Sequence, residues 1–324
     1  MNILEEVRGA RTIGIAGHEN PDGDAIGASM GLALYLEEQL PDVRIDVFAG
    51  DVKDSIRRYM PGIEQIRFDY HTDVERYDVF FDLDTASDRL AGAKPYFDRA
   101  VRKINIDHHE SNPGDGDVNY IRPEASSTCE LIYDLIDPAK ITEPVARALY
   151  IGIITDTGVF KYSNTSRHTM EAAGDLISHH LTPEPGVLIN EIFYGKTYLQ
   201  NQILGRALLE SMLFRNGTCI VSVIDHRTME FYHVGPKDMD GIASQLMLTE
   251  GVQCAIFMYE VKPMTYKVSL RSDGSINVAD IARFYGGGGH ERAAGCTCNA
   301  LYHDIINNIS DSIDIQMKRK AGKQ

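Results

Sequence analysis

The chain has 324 residues, 43% of them apolar and 24% charged, with a net charge of −15. That length exceeds one ordinary core and suits two domains, and no apolar run reaches the roughly 18–20 residues of a membrane helix. The first 190 residues hold 18 Lys and Arg against 33 Asp and Glu, while residues 191–324 hold 14 of each. So acidic a half argues against long duplex nucleic acid, whose binding rests on many cation–phosphate contacts. It leaves room for a short phosphorylated ligand held through divalent cations.

In chain order, the acidic start lacks a signal-peptide pattern. Thr12–Ala16 then reads as a strand and Ala25–Leu40 as a helix, with Ile26, Met30, Ala33, Leu34 and Leu36 on its inner stripe. Val43–Phe48, Val79–Leu83 and Val101–Ile106 read as further strands, and the alternation predicts a parallel α/β sheet. Glu143–Ile154, opened by Thr142 and Pro144, and Met170–His179 read as helices. The run Thr182-Pro-Glu-Pro-Gly186 marks a boundary, which predicts domains over 1–181 and 203–324 joined by residues 182–202. The second domain reads as a helix over Tyr198–Phe214, strands over Thr218–Ile224, Gln253–Tyr259 and Thr265–Arg271, a helix over Val278–Phe284, a glycine loop, and a last helix over Asp304–Met317. Five scattered cysteines, of which Cys296 and Cys298 form a lone C-x-C, read as reduced thiols in a cytoplasm.

Chemistry-bearing residues gather where apolar runs stop. His18, Asp22 and Asp24 share a tight loop set by Pro21 and Gly23, either as ligands or as an Asx-type turn with Asp24 capping the helix. Asp84 follows the aromatic strand Val79–Leu83, with Asp82 as a residue behind it. Asp107-His108-His109 ends the Val101–Ile106 run, and Asp156 ends an apolar helix. Each could be a local cap. Four consecutive elements presenting Asp, or Asp with His, at the same kind of position point to a site for Mn²⁺, Mg²⁺ or Co²⁺. There are too many carboxylates for one octahedral ion, and a shared carboxylate between two ions suits in-line displacement at phosphorus. In the second domain, four glycines at Gly286–Gly289 followed by His290 leave backbone N–H groups free to meet an anion. Arg271 and Ser272 end the strand nearby in the predicted order.

With these motifs in this order, over about residues 10–300, the sequence resembles the DHH phosphoesterases, named for the triplet seen here as Asp107-His108-His109. The resemblance implies an α/β fold: an N-terminal parallel-sheet DHH domain, a smaller α/β C-terminal domain, and an active site in the cleft between them. It implies two divalent ions, Mn²⁺ first, with His18 and Asp22 on one, Asp24, His108 and Asp156 on the other, and Asp84 bridging. Asp107 would orient the His108 ring and His109 would face the scissile phosphate. Arg271, Ser272, Gly287, Gly288, Gly289 and His290 would hold the substrate's terminal phosphate. Length and motif placement favour the oligoribonuclease/pAp-phosphatase (nanoRNase) branch. Its substrates are short single-stranded RNA, linear dinucleotides such as pApA, and pAp. The alternatives are a phosphodiesterase that opens cyclic-di-AMP and a nucleotide sensor without turnover. A homodimer is implied by the family alone.

Overall fold

The computed structural model describes residues 2–321, in two compact units that divide between Gly195 and Lys196. In the first unit six strands form a wholly parallel sheet: β1 (Thr12–Ala16), β2 (Arg44–Phe48), β3 (Ile66–Arg67), β4 (Val79–Leu83), β5 (Arg102–Asp107) and β6 (Val118–Ile121), in the order β3-β2-β1-β4-β5-β6. Buried on both faces, the inner strands are almost continuously apolar. Ile13, Ile15, Phe81, Leu83, Ile104 and Ile106 belong to the larger core, whereas Ala16, Phe48, Phe80 and Phe97 build an aromatic layer with Tyr77. The strand order reverses between β1 and β4, and in open α/β sheets the crevice at the carboxyl ends of such a pair is where ligands bind.

The helices of this unit are α1 (Ile3–Glu6), α2 (Gly23–Gln39), α3 (Asp54–Tyr59), α4 (Lys94–Arg99), α5 (Thr128–Leu135), α6 (Glu143–Asp156), α7 (Arg167–Ser178) and α8 (Pro185–Leu188). α2 and α6 cross closely because glycines face the contact. A Cβ on Gly27 would lie 2.6 Å from the Ala148 carbonyl oxygen, and one on Gly152 would lie 2.1 Å from Cys129 Sγ and 3.0 Å from Asp24 Oδ1. This approach brings the start of α2 beside the end of α6. The predicted cap at Thr142 is in place, but its hydroxyl donates to Glu38 at 2.8 Å instead of closing the helix end.

The second unit carries a mixed six-stranded sheet in the order β11-β12-β10-β9-β8-β7. Its strands are β7 (Met212–Phe214), β8 (Cys219–Ile224), β9 (Cys254–Lys262), β10 (Thr265–Ser272), β11 (Gly288–His290) and β12 (Ala293–Asn299), and its helices are α9 (Tyr198–Leu209), α10 (His226–Tyr232), α11 (Ile242–Leu246), α12 (Val278–Phe284) and α13 (Tyr302–Ala321). Two expectations are corrected here. The helix predicted to reach Phe214 stops at Leu209, and its last residues form edge strand β7 against β8. The predicted glycine loop is largely a strand, with Gly288, Gly289 and His290 paired to Gly295, Ala294 and Ala293. Among the described residues no helix is long and apolar enough to cross a membrane, and all five cysteines are buried and free.

Candidate metal centre

The loop after β1 turns sharply into α2, and Asp22, not Asp24, caps that helix: its Oδ1 accepts from the backbone N–H groups of Asp24 and Ala25 at 3.0 and 3.1 Å. Asp24 is thereby released from capping, and its carboxylate points into the switch-point crevice. Asp84 follows β4 directly and sits at φ +61°, a conformation in which Asp is one of the few non-glycine residues found with any frequency. It is 2% exposed, and its two oxygens lie near different imidazoles. Oδ2 lies 3.6 Å from His18 Nε2, which is also 3.9 Å from Asp22 Oδ1. Oδ1 lies 3.5 Å from His108 Nε2, which is 3.6 Å from Asp156 Oδ2 and 3.9 Å from Asp24 Oδ2.

The predicted ligands therefore come together as two groups, His18/Asp22/Asp84 and Asp24/His108/Asp156, with Asp84 between them. The gaps of 3.5–3.9 Å are too long for hydrogen bonds. They fall between the ~3 Å of adjacent and the ~4.2 Å of opposite ligands around an octahedral ion with ~2.1 Å bonds. Charge points the same way. Burial, then the carboxylates of Asp24, Asp22, Asp107 and Asp156, pushes the Asp84 carboxyl well above its ordinary value. Burial with Asp24 and Asp22 pushes Asp156 up to about 8. Burial lowers His18, which favours the neutral imidazole a metal needs. A nest of oxygen and imidazole donors with unneutralised negative charge fits divalent cations of the Mn²⁺/Mg²⁺ kind better than thiolate-seeking ones.

Asp107 departs from expectation. Its Oδ1 takes the His109 ring Nδ1 at 2.7 Å and the His109 backbone N–H at 3.0 Å, so it orients His109 and not the His108 ring. The backbone turn after β5 brings the second imidazole back over the aspartate. Burial raises the Asp107 carboxyl, but the bonds from His109 and from Asn112 Nδ2 at 2.6 Å outweigh it and hold it below its ordinary range. The same pairing raises His109, against its burial. Asp82 is fully buried on β4 with neither carboxylate oxygen hydrogen-bonded, and burial next to Asp107 and Asp115 keeps it protonated far above its ordinary value.

Sequence reasoning missed the residues that support this centre. Asn112 Nδ2 also donates to Asn105 Oδ1 at 2.9 Å and to the Thr85 carbonyl at 2.8 Å. Asn164 Nδ2 spans the Ser126 carbonyl at 2.8 Å and Asp156 Oδ2 at 3.4 Å. The N-terminus of α5 meets the centre directly: Thr128 N–H and Cys129 N–H donate to Asp24 Oδ2 and Oδ1 at 2.7 and 2.9 Å, and the Thr128 hydroxyl donates to Asp84 Oδ1 at 3.0 Å. Amide side chains and helix starts are common throughout the chain, and no local pattern singles these out.

In the second unit, Arg271 sits on β10 opposite Ala293 and donates through Nη1 to the Leu270 carbonyl at 2.9 Å. Ser272 is buried, its oxygen accepting the N–H groups of Gly274 and Ile276 at 3.0 and 3.2 Å, so it shapes the following turn. Gly288, Gly289 and His290 are exposed on edge strand β11. A Cβ on Gly287 would stand 2.2 Å from the Gly295 carbonyl oxygen and one on Gly289 2.5 Å from that of Ala293. Close backbone packing thus requires glycine at both positions, whereas the space around Gly288 is open.

Imidazoles and carboxylates gathered around Asp84 at the switch point of a parallel sheet make a site able to hold divalent ions, and the class of the protein, the phosphoesterases, follows from the families its sequence matches. Residues 12–153 match the DHH family, N-terminal domain, and residues 216–318 match the DHHA1 domain. The chain belongs to the DHH family. It is 30% identical to the bifunctional oligoribonuclease and PAP phosphatase NrnA of Thermus thermophilus, over 96% of this chain and 92% of that protein. It is also 30% identical to the cyclic-di-AMP phosphodiesterase PdeA of Listeria monocytogenes, over 85% of this chain but 43% of that protein. A crystal structure of an exopolyphosphatase-related protein from Bacteroides fragilis shares the fold, with a TM-score of 0.86 and 24% identity over 98% of this chain and 95% of that one.

Proposed function

We propose that this chain is a Mn²⁺-dependent phosphodiesterase of the cytoplasm. It degrades short oligoribonucleotides and linear dinucleotides such as pApA from one end and removes the 3′-phosphate of pAp. The observation that carries the reading is Asp84, a buried carboxylate whose two oxygens face separate imidazole–carboxylate groups 3.6 and 3.5 Å away. Near-full-length similarity to a protein named for the oligoribonuclease and PAP phosphatase activities supports this substrate choice over the cyclic dinucleotide.

When bound, two divalent ions would acidify a water and neutralise charge on phosphorus-bound oxygens. His18 and Asp22 would hold one, Asp24, His108 and Asp156 the other, with Asp84 between. His109, 42% exposed at its side chain and anchored by Asp107, would meet a phosphate oxygen as a donor, and the Asp107 bond, which raises its pKa, favours the protonated ring. The second unit would supply the grip on the terminal phosphate through Arg271, Gly287, Gly288, Gly289 and His290. Ser272 would contribute by fixing the turn after Arg271. Assembly as a homodimer is part of this reading and is checked by light scattering.

Turnover of pApA, pAp, a short RNA and cyclic-di-AMP, measured side by side with Mn²⁺, tests the proposal. Linear substrates should turn over faster; faster opening of the cyclic dinucleotide would overturn the choice. Arg271→Ala should raise KM for terminally phosphorylated substrates by about 10- to 100-fold, the worth of one charge-assisted bond. A loss of Mn²⁺ binding instead would refute its assignment.

A further inference from the structure

The centre is held from a direction that its own ligand motifs do not supply. α5 begins in a loop more than forty residues after Asp84, and its first turn is aimed at two of the carboxylates. Ser127 caps the helix through its side chain, accepting from Glu130 N–H at 3.1 Å. That frees the Thr128 and Cys129 N–H groups, which a helix start leaves without intrahelical partners, to bind both oxygens of Asp24. The Thr128 hydroxyl closes on Asp84 Oδ1, the oxygen that faces His108. Thr128 is itself fully buried, and the turn is fixed behind it. The Glu130 carboxylate accepts from Ser126 Oγ at 2.5 Å and from Thr169 Oγ1 at 2.7 Å, which ties α5 to the start of α7.

We propose that Thr128 is a positioning residue for the metal centre: it holds Asp24 and Asp84 in one frame and makes the Asp84 bridge asymmetric. This rests on the two-metal reading above. The hydroxyl occupies a lone pair of Oδ1, and Oδ2, facing His18, has no such donor among the described residues. Oδ1 is therefore the weaker electron donor of the two. It is fixed in direction by the hydroxyl, so the Asp24/His108/Asp156 group takes its ion with a shared carboxylate that cannot swing. Without the hydroxyl, Asp84 is free to rotate toward His18, and the Asp24/His108/Asp156 group loses a ligand while the His18/Asp22 group keeps its own. Partners of this kind are worth about 10- to 100-fold in metal affinity.

The test compares wild type, Thr128→Val and Thr128→Ser by calorimetric Mn²⁺ titration and by electron paramagnetic resonance of the loaded proteins, where a carboxylate shared by two Mn²⁺ ions gives a spin-coupled spectrum. Thr128→Val should weaken one of two Mn²⁺ sites by about 10-fold or more and diminish the coupled signal, and Thr128→Ser should restore both. Circular dichroism confirms that each variant is folded, and if Thr128→Val is not, Thr128→Ala takes its place. Two Mn²⁺ ions bound by the valine or alanine variant with wild-type affinity and coupling would overturn the role of Thr128. Wild type that binds fewer than two ions would overturn the two-metal reading and the assignment with it.

Discussion

Two buried aspartates in the same parallel sheet are treated in opposite ways. Asp46, on β2, is 3% exposed. The sheet edge surrounds it with donors: Tyr77 OH at 2.5 Å, Thr72 Oγ1 at 3.0 Å, Arg67 Nη2 at 2.8 Å and Arg44 Nη2 at 3.2 Å. Burial pushes its carboxyl up, but those bonds outweigh burial and hold it below its ordinary range. Asp84, at the end of β4, is as buried, yet it meets carboxylates and imidazoles, and its carboxyl is driven up. The protein neutralises one buried acid with its own cations and leaves the other facing like charges, an imbalance that cations from outside could offset.

Substitutions at the two positions should separate those roles. The largest effect is expected at Asp84: Asp84→Asn should abolish tight Mn²⁺ binding and lower kcat/KM by roughly 10³-fold or more, with chemical-denaturation stability of the metal-free protein unchanged or raised. Retained metal binding would break the contrast. Asp46→Ala should do the reverse. It removes the buried acceptor that the Tyr77 hydroxyl, Arg44 and Arg67 share, leaving Arg44 with Asp73 and Thr72 and Arg67 with the His71 carbonyl, and should cost about 2–3 kcal/mol in denaturant unfolding while Mn²⁺ stoichiometry stays at the wild-type value. A smaller effect follows from titration. The folded-state pKa of Asp156 is raised from the ordinary 3.8 to about 8, so its stabilising protonated form is fully present below about pH 4 and is lost as pH rises through about 8. The metal-free protein should therefore melt lower at about pH 8.5 than at about pH 5, by roughly 3–6 °C, and saturating Mn²⁺ should remove or invert that slope by binding the native carboxylates. A melting temperature of the metal-free protein that rises over this interval would count against the uncompensated charge.

The same contrast marks what was legible in the sequence. His18, Asp84 and His108 follow β1, β4 and β5, and a sheet with parallel strands delivers such ends to one edge, so one-dimensional order was enough to gather those three. Asp22 and Asp24 open α2 after β1, and Asp156 ends α6, brought there by the close crossing of α2 and α6. The donors that decide how each acid behaves were not legible. Thr128 reaches Asp84 across 44 positions and Asp24 across 104, and Tyr77 reaches Asp46 across 31. Such contacts depend on how helices cross, not on any local pattern. Asp107 shows the limit at close range: a two-residue spacing permits contact with either imidazole neighbour, and backbone geometry after β5 selects His109. In the second unit, β12 was hidden because Ala-Ala-Gly-Cys-Thr-Cys-Asn looks like loop composition. Its alternation of burial emerges only when β10 and β11 pair on either side of it.

The left-handed backbone of Asp84 narrows the substitutions this position can accept. Glycine would keep the turn and lose the carboxylate. Glutamate would keep an acid, one methylene longer, on a backbone that residues other than Gly, Asn and Asp adopt less readily. Asparagine keeps both shape and turn but not the charge. No single exchange preserves all three properties, so this site has no neutral path through sequence space and would drift only together with its neighbours.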